Sequence, residues 1–203
     1  MLTNNDGDMA VHLARNTIEV FLHNGKTSSL SDIGLSDIFN EKRGVFVTLT
    51  KQGMLRGCIG YPYPYSPLGN AIIESAISAS TGDPRFPSVK ISEMDDIIVE
   101  VTVLTQPELI DVPPQELPRV IEIGRHGLII KEGYHQGLLL PQVAPENNFD
   151  EIEFLDHTCL KAGLPPDAWR KGAQVYWFEG QIFRETIPRG DVIEEIFLEM
   201  CGK

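Results

Sequence analysis

The chain is poor in positive charge, in cysteine and in long apolar runs, and each shortage removes a class of protein. Its 17 lysines and arginines face 29 aspartates and glutamates, for a net charge of −12. The summed field of such a surface repels a polyphosphate backbone, so non-specific nucleic-acid binding is not expected and only a local cationic pocket stays open. The acidic residues form no long block of one sign and read mainly as a solvated outer surface. No apolar stretch approaches the roughly 18 residues of a membrane span. The start, MLTNNDGDMAVHLARN, lacks the basic region and apolar core of a secretory signal. No membrane association and a cytoplasmic location are therefore the expectation. Three cysteines, Cys58, Cys159 and Cys201, are odd in number and widely spaced, which suits reduced thiols better than a disulfide framework.

What is present is an ordinary globular composition. With 203 residues, 42% of them hydrophobic, the chain can bury a real core as one domain or as two small interlocked subdomains. Apolar residues at Met9, Leu13, Ile18 and Leu22 recur at helical spacing and predict an amphipathic helix over about 6–23, stopped by NGKTSS. GVFVTLTK and MLRGCIG are separated by Gln52 and Gly53, which predicts a tight hairpin. After the proline-stiffened YPYPYSP, Ser66 and Pro67 are expected to cap and open a helix running to about Ser80, with Gly82 as its stop. That helix is rich in Gly, Ala and Ser, so its backbone can approach a sheet closely.

IIVEVTVL reads as a strand, GLIIKEG and QGLLLP as a strand pair, and DEIEFLDHTCLKAG as a helix closed by Gly163. QVYWFEGQIFRET predicts a hairpin about Glu179 and Gly180, and DVIEEIFLEM a short C-terminal helix. Strands in hairpin-like pairs, with no regular βαβ alternation, predict an α+β fold with mainly antiparallel sheet. The proline-rich stretch at 105–118 is the candidate seam between subdomains.

Strict alternation in MLRGCIG would put Met54, Arg56, Cys58 and Gly60 on one face and Leu55, Gly57 and Ile59 on the other, core-facing side. Gly57 would let the small-residue helix lie close. A guanidinium beside Cys58 would favour the thiolate, the form that attacks electrophiles. The alternative is a packed, inert thiol. In STGDPRFPSV, Asp83 and Arg85 sit in a stiff loop where they either contact a ligand or form a local ion pair anchored by Phe86.

Other candidates are weaker. GKT at 25–27 is not a P-loop, because Val20 stands where the motif needs glycine and a helix precedes it where a strand is required. His157 and Cys159 are two apart on a helix and do not face the same way, and there is no paired-cysteine motif, so no metal site is expected. Trp169, Tyr176, Trp177 and Phe178 could stack a ring but fit core strands better.

LRGCIG, DPRFP, IGRHGLII and GLLLPQVAPE, in this order and at these separations, resemble the AMMECR domain family, named after the Alport-syndrome and midface-hypoplasia chromosomal region. The resemblance runs from about Val11 to Glu185. It implies an α+β fold with a larger antiparallel sheet flanked by helices and a smaller, mostly β subdomain. It implies no settled activity and no known cofactor. The suspect positions it marks are Leu55, Arg56, Gly57, Cys58, Ile59 and Gly60, then Asp83, Arg85 and Phe86, then His126, Gly127, Pro141 and Gln142. Prokaryotic relatives often accompany Memo-type and radical-SAM proteins, which implies a shared modification pathway. Phe149 stands where tryptophan is usual, and Ser78 and Ser80 where alanine is commoner.

Two readings follow. In the first, an enzyme or enzyme accessory binds a small anionic or carbonyl-bearing group, or a protein segment, beside MLRGCIG. Arg56 then binds negative charge, Cys58 is nucleophile or radical acceptor, Asp83 and Arg85 orient the bound group, and His126 is the candidate acid or base. In the second, the protein is a non-catalytic interaction or nucleotide-binding module in which Cys58 only packs.

Overall fold

The computed structural model describes residues 1–27 and 36–195. They form two compact units, one of Met1–Gln106 with Gln181–Glu195, the other of Pro107–Gly180.

The first unit begins with helix α1, Asn4–Asn24. Thr3 and Asp6 form a capping box, in which each side chain takes the other's backbone N–H, and this starts the helix earlier than the apolar spacing alone predicts. Gly25, at φ 70°, ends it. Strands β1 (Val45–Lys51) and β2 (Met54–Tyr61) form the expected hairpin. Gln52 and Gly53 both take positive φ, 53° and 77°, the backbone that a two-residue turn needs to match strand twist.

Helix α2 is Leu68–Thr81 and strand β3 is Ile97–Leu104. Ser66 does not cap α2: Pro67 occupies the cap position and no side-chain hydrogen bond closes the end. Its fixed φ is already helical, so a capping side chain is not required to set the entry. Among the described residues, a five-stranded sheet runs β2-β1-β3-β8-β9, with β8 at Gly180–Glu185 and β9 at Val192–Glu195. Val45, Val47 and Leu49 of β1 and Val99, Val101 and Val103 of β3 point to one core with Leu13, Ile18, Ile72 and Ala76 of the helices. Arg15 on α1 is sealed in this layer. It pairs with Glu185 through Nε at 2.5 Å and Nη2 at 2.6 Å and donates to the Ile97 carbonyl, while Glu185 also accepts the Val99 N–H.

The second unit holds a four-stranded sheet in the order β4-β7-β5-β6, built from Glu108–Leu109, Gln174–Phe178, Gly127–Glu132 and His135–Leu139. Short helices α3 (Leu117–Val120) and α4 (Val143–Asn147) and the longer α5 (Glu151–Lys161) complete it. Leu128, Ile130, Phe154, Leu155, Trp169 and Val175 form its core. Gly163, at φ 74°, follows α5 as expected.

The fold is α+β with mainly antiparallel sheet. Two further expectations fail. β7 and β8 are not a hairpin, because β7 pairs with β5 and β4 in one sheet and β8 with β9 in the other; Glu179–Gly180 is a crossing, not a turn. The segment from Val192 to Glu195 is strand, paired with β8, where a helix is expected. Its β-branched Val192 and Ile193 favour the extended form once β8 offers an edge. The rest of that expected helix, residues 196–200, lies outside the described residues, as does Cys201.

Candidate functional site

β2 lies at the edge of its sheet and carries one irregularity. Counting from the two-residue turn, Lys51 pairs with Met54 and Thr50 with Leu55, but Leu49 pairs with Gly57 and Thr48 with Cys58. Arg56 is the extra residue of a β-bulge. A bulge breaks the period-two alternation, so Leu55 leaves the core side and is 41% exposed. The same break separates Arg56 from Cys58. Arg56 donates to Glu93 through Nε at 3.2 Å and Nη2 at 3.0 Å and to the Pro87 carbonyl at 2.9 Å. Glu93 also receives Nζ of Lys51, which is in step with the core-facing Val47 and Leu49. Cys58 turns the other way, toward Thr48. The expected same-side neighbours are therefore not neighbours, and the negative charge Arg56 binds is the chain's own Glu93. Arg56 and a backbone N–H at Lys90 hold the Glu93 carboxyl down to about 2, with Lys51 adding to the effect.

The two glycines of the strand make room for the chain itself. A Cβ at Gly57 would meet the Ala79 carbonyl oxygen at 2.1 Å, so its absence lets the end of α2 lie against β2. A Cβ at Gly60 would fall within 2.5 Å of the Phe46 ring, which lies over it from the paired position on β1.

The loop after α2 closes on the strand edge. Asp83, 4% exposed, accepts the Cys58 N–H at 2.9 Å and the Arg85 N–H at 3.1 Å. Arg85 grips the same carboxylate with two prongs, Nε at 2.9 Å and Nη2 at 2.7 Å, and Nη2 also donates to the Cys58 carbonyl at 3.2 Å. One residue of the edge strand thus has both outward backbone groups taken by an Asp–Arg pair, in place of a neighbouring strand. The Arg85 hydrogen bonds, with help from the Cys58 N–H, hold the Asp83 carboxyl well below the usual carboxylate range against its burial. Arg85 is otherwise exposed and sits 5.5 Å from the Phe86 ring centroid.

Cys58 is half-buried. Thr48 Oγ1 donates to its Sγ at 3.5 Å. Glu100 on β3 is the direct register partner of Thr48. Burial and the Glu195 carboxylate push the Glu100 carboxyl up, while Arg184 and the Thr48 hydroxyl favour its charged form. Cys58, Thr48 and Glu100 thus lie in one row across three strands, on the face away from α1 and α2. Thr48 and Glu100 are invisible to motif reading. Counting pairs straight from the turn puts Gly57 opposite Thr48, and only the bulge brings Cys58 there.

The remaining expected residues belong to the second unit. His126 is buried; its Nδ1 accepts the Glu122 N–H at 3.0 Å, its ring lies 4.6 Å from Trp177, and its Nε2 is 3.9 Å from Glu179. Burial pushes its pKa down. Gly127 accommodates Phe178, whose ring would lie 2.2 Å from an added Cβ. Pro141 is buried and Gln142 half-buried at the start of α4. Trp169 and Phe178 are core, each 2% exposed. Cys159 is fully buried and burial pushes its thiol up, the mark of an inert packing sulfur. Phe149 stacks on His157 at 4.1 Å. Among the described residues no group of histidine, cysteine and carboxylate side chains is placed to hold a metal, and no helix is long and apolar enough to cross a membrane.

These features define an α+β protein whose edge-strand cysteine is braced by a buried aspartate and its arginine. The chain belongs to the AMMECR1 family, which it matches over residues 11–183. It is 67% identical to a protein of Methanococcoides burtonii over 201 residues, 99% of this chain and 100% of the relative. It is 64% identical to one of Methanosarcina mazei over 199 residues, 97% of this chain and 100% of the relative. A crystal structure of an uncharacterised protein from Pyrococcus horikoshii, 48% identical, superposes with a TM-score of 0.80 over 96% of this chain and 98% of that one.

Proposed function

We propose that the protein is a thiol-dependent enzyme or enzyme accessory that takes a small carbonyl-bearing group, free or on a protein segment, at the sheet face carrying Cys58. The observation that supports it most is the bracing of one residue's backbone on both sides. Cys58 has its N–H and C=O fixed by Asp83 and Arg85, while the residue is half-buried and its sulfur stands beside a hydroxyl. A fixed backbone under an accessible nucleophile is what positioned attack requires. Further support comes from Thr50 Oγ1 and Arg184 Nε, which are sealed from solvent without a hydrogen-bond partner among the described residues. Both belong to the same face, and native proteins seldom leave such groups unpaired. Arg56, engaged by Glu93, has no part in the step. His126, whose Nδ1 is already occupied, is given none. Memo-type and radical-SAM proteins are the proposed pathway partners, on the family resemblance alone.

Incubating the folded protein with a panel of activated thioesters and aryl esters tests this. A covalent acyl adduct on the Cys58 peptide, absent from Cys58→Ala, supports the reading; no adduct from any member of the panel counts against it. The second reading, a non-catalytic binding module, is favoured by one observation, that Arg56 and Asp83 already have partners from the chain itself. It expects the acyl panel to leave Cys58 unmodified.

A further inference from the structure

We infer that the outward side of Arg85 is an anion subsite beside Cys58, so that the group taken there carries a carboxylate or phosphate next to its reacting carbon. The inference rests on the reading of Cys58 as a nucleophile and narrows the class of substrate.

The two arginines at this strand edge are used differently. Arg56 places Nε and Nη2 on Glu93 and Nη1 on the Pro87 carbonyl, so each of its nitrogens has a partner. Arg85 commits one side of its guanidinium only. Nε and Nη2 grip Asp83, and Nη2 also reaches the Cys58 carbonyl. Nη1 has no partner among the described residues, and the side chain is 54% exposed. The carboxylate it grips is 2% exposed. The pair is therefore a fixed dipole, with its negative end sealed in the protein and its positive end facing solvent. Arginine N–H groups form a planar fork that suits carboxylate and phosphate oxygens.

The donor is held in place before anything binds. Asp83 Oδ1 accepts the Arg85 backbone N–H as well as its Nε, and the Phe86 N–H closes the turn on the Asp83 carbonyl at 3.1 Å. Pro84 and Pro87 restrict the backbone on either side. A guanidinium fixed in this way loses little freedom on binding an anion. Its distance from the thiol is bounded by one contact. Nη2 lies 3.2 Å from the Cys58 carbonyl oxygen, and four bonds separate that oxygen from Sγ, so Nη2 and the sulfur are within about 8 Å of each other in any rotamer. An anionic group one or two bonds from the attacked carbon spans such an interval. The net charge of −12 repels an anionic substrate at long range, which a local donor beside the thiol offsets.

Two alkylating reagents of similar size test the subsite. The thiolate displaces iodide from both iodoacetate and iodoacetamide, which differ in carrying a carboxylate or a neutral amide. Their rates on the Cys58 peptide, read by mass spectrometry at one pH, give a ratio from which the share of thiolate and the openness of the site both cancel. Arg85→Gln should lower the iodoacetate-to-iodoacetamide ratio by about threefold or more, the effect of losing one charge at this separation even in a watery setting. Arg85→Lys should keep most of the ratio. Asp83→Asn breaks the same clamp but removes negative charge, so its ratio should stay at or above native. A ratio unchanged in Arg85→Gln, with Cys58 still alkylated by both reagents, overturns the subsite and leaves the nucleophile in place. Ratios that fall alike in Arg85→Gln and Asp83→Asn assign the change to the shape of the loop and overturn it as well. A native Cys58 that neither reagent modifies overturns the subsite and the nucleophile together.

Discussion

Asp83 accepts the backbone N–H of Cys58 at 2.9 Å across 25 positions of sequence. The contact joins LRGCIG to DPRFP and gives the second a physical reason for following the first: a buried carboxylate, presented by a stiff loop, closes an exposed strand edge. Arg85 completes the closure from the carbonyl side.

Replacing Asp83 by alanine leaves the Cys58 N–H unpaired and removes the acceptor for Arg85. A loss of roughly 1–3 kcal/mol is expected for the backbone group and its charged partner, measured by urea unfolding. Asp83→Asn should lose less, since its side-chain oxygen still accepts one bond.

The same contact sets a pH dependence. The Asp83 carboxyl is depressed in the folded protein, so the unfolded chain takes up its proton first as pH falls. The stability gap between the native protein and Asp83→Asn should be constant above about pH 5 and close as pH drops below the ordinary carboxylate value near 3.9. A gap that widens in acid contradicts the assignment.

Arg56→Ala should leave the rate of Cys58 alkylation within about twofold of native, a small difference on the tenfold-per-unit scale of pKa, because the bulge turns the guanidinium toward Glu93 and away from the sulfur. The Glu93 carboxyl, held down to about 2 chiefly by this arginine, should move up by NMR titration in the variant. An alkylation rate that falls sharply would put Arg56 back beside the thiol.

Gly57→Ala drives a methyl group into the Ala79 carbonyl, 2.1 Å away. Backbone cannot rotate aside as a side chain does, so a loss of about 2–3 kcal/mol or more is expected by thermal or urea unfolding. The buried Arg15–Glu185 pair gives a companion measurement. Glu185→Ala leaves the Val99 N–H unpaired and takes the two-pronged partner from Arg15, which keeps Glu19 at 3.1 Å, so the expected cost is about 3 kcal/mol, the low end for a broken buried pair.

Local chemistry made the elements readable and tertiary chemistry did not follow from it. The hairpin was legible because Gln52 and Gly53 form a turn of fixed length between β-rich runs. The bulge was not, since Arg56 carries no glycine or other residue that marks an extra position, and this one residue reverses which side chains share a face with Cys58. Glu179–Gly180 has the composition of a turn, yet β7 and β8 take partners in different sheets, a choice made by strands distant in sequence. LRGCIG and DPRFP stood out separately; that their link is a backbone hydrogen bond from Cys58 depends on the loop folding back over the strand. Glu100, within IIVEVTVL, reads as the polar member of an alternating strand, and its half-buried place beside Thr48 comes only from the register of three strands.

The central claim is that Cys58 presents an accessible sulfur while its neighbour in type, Cys159, only packs. Iodoacetamide treatment of the folded protein at neutral pH, with the two peptides read separately by mass, tests it most directly. The account predicts modification of Cys58 in the native state and of Cys159 only after unfolding. A Cys58 that stays as unreactive as Cys159 until the protein is denatured contradicts it.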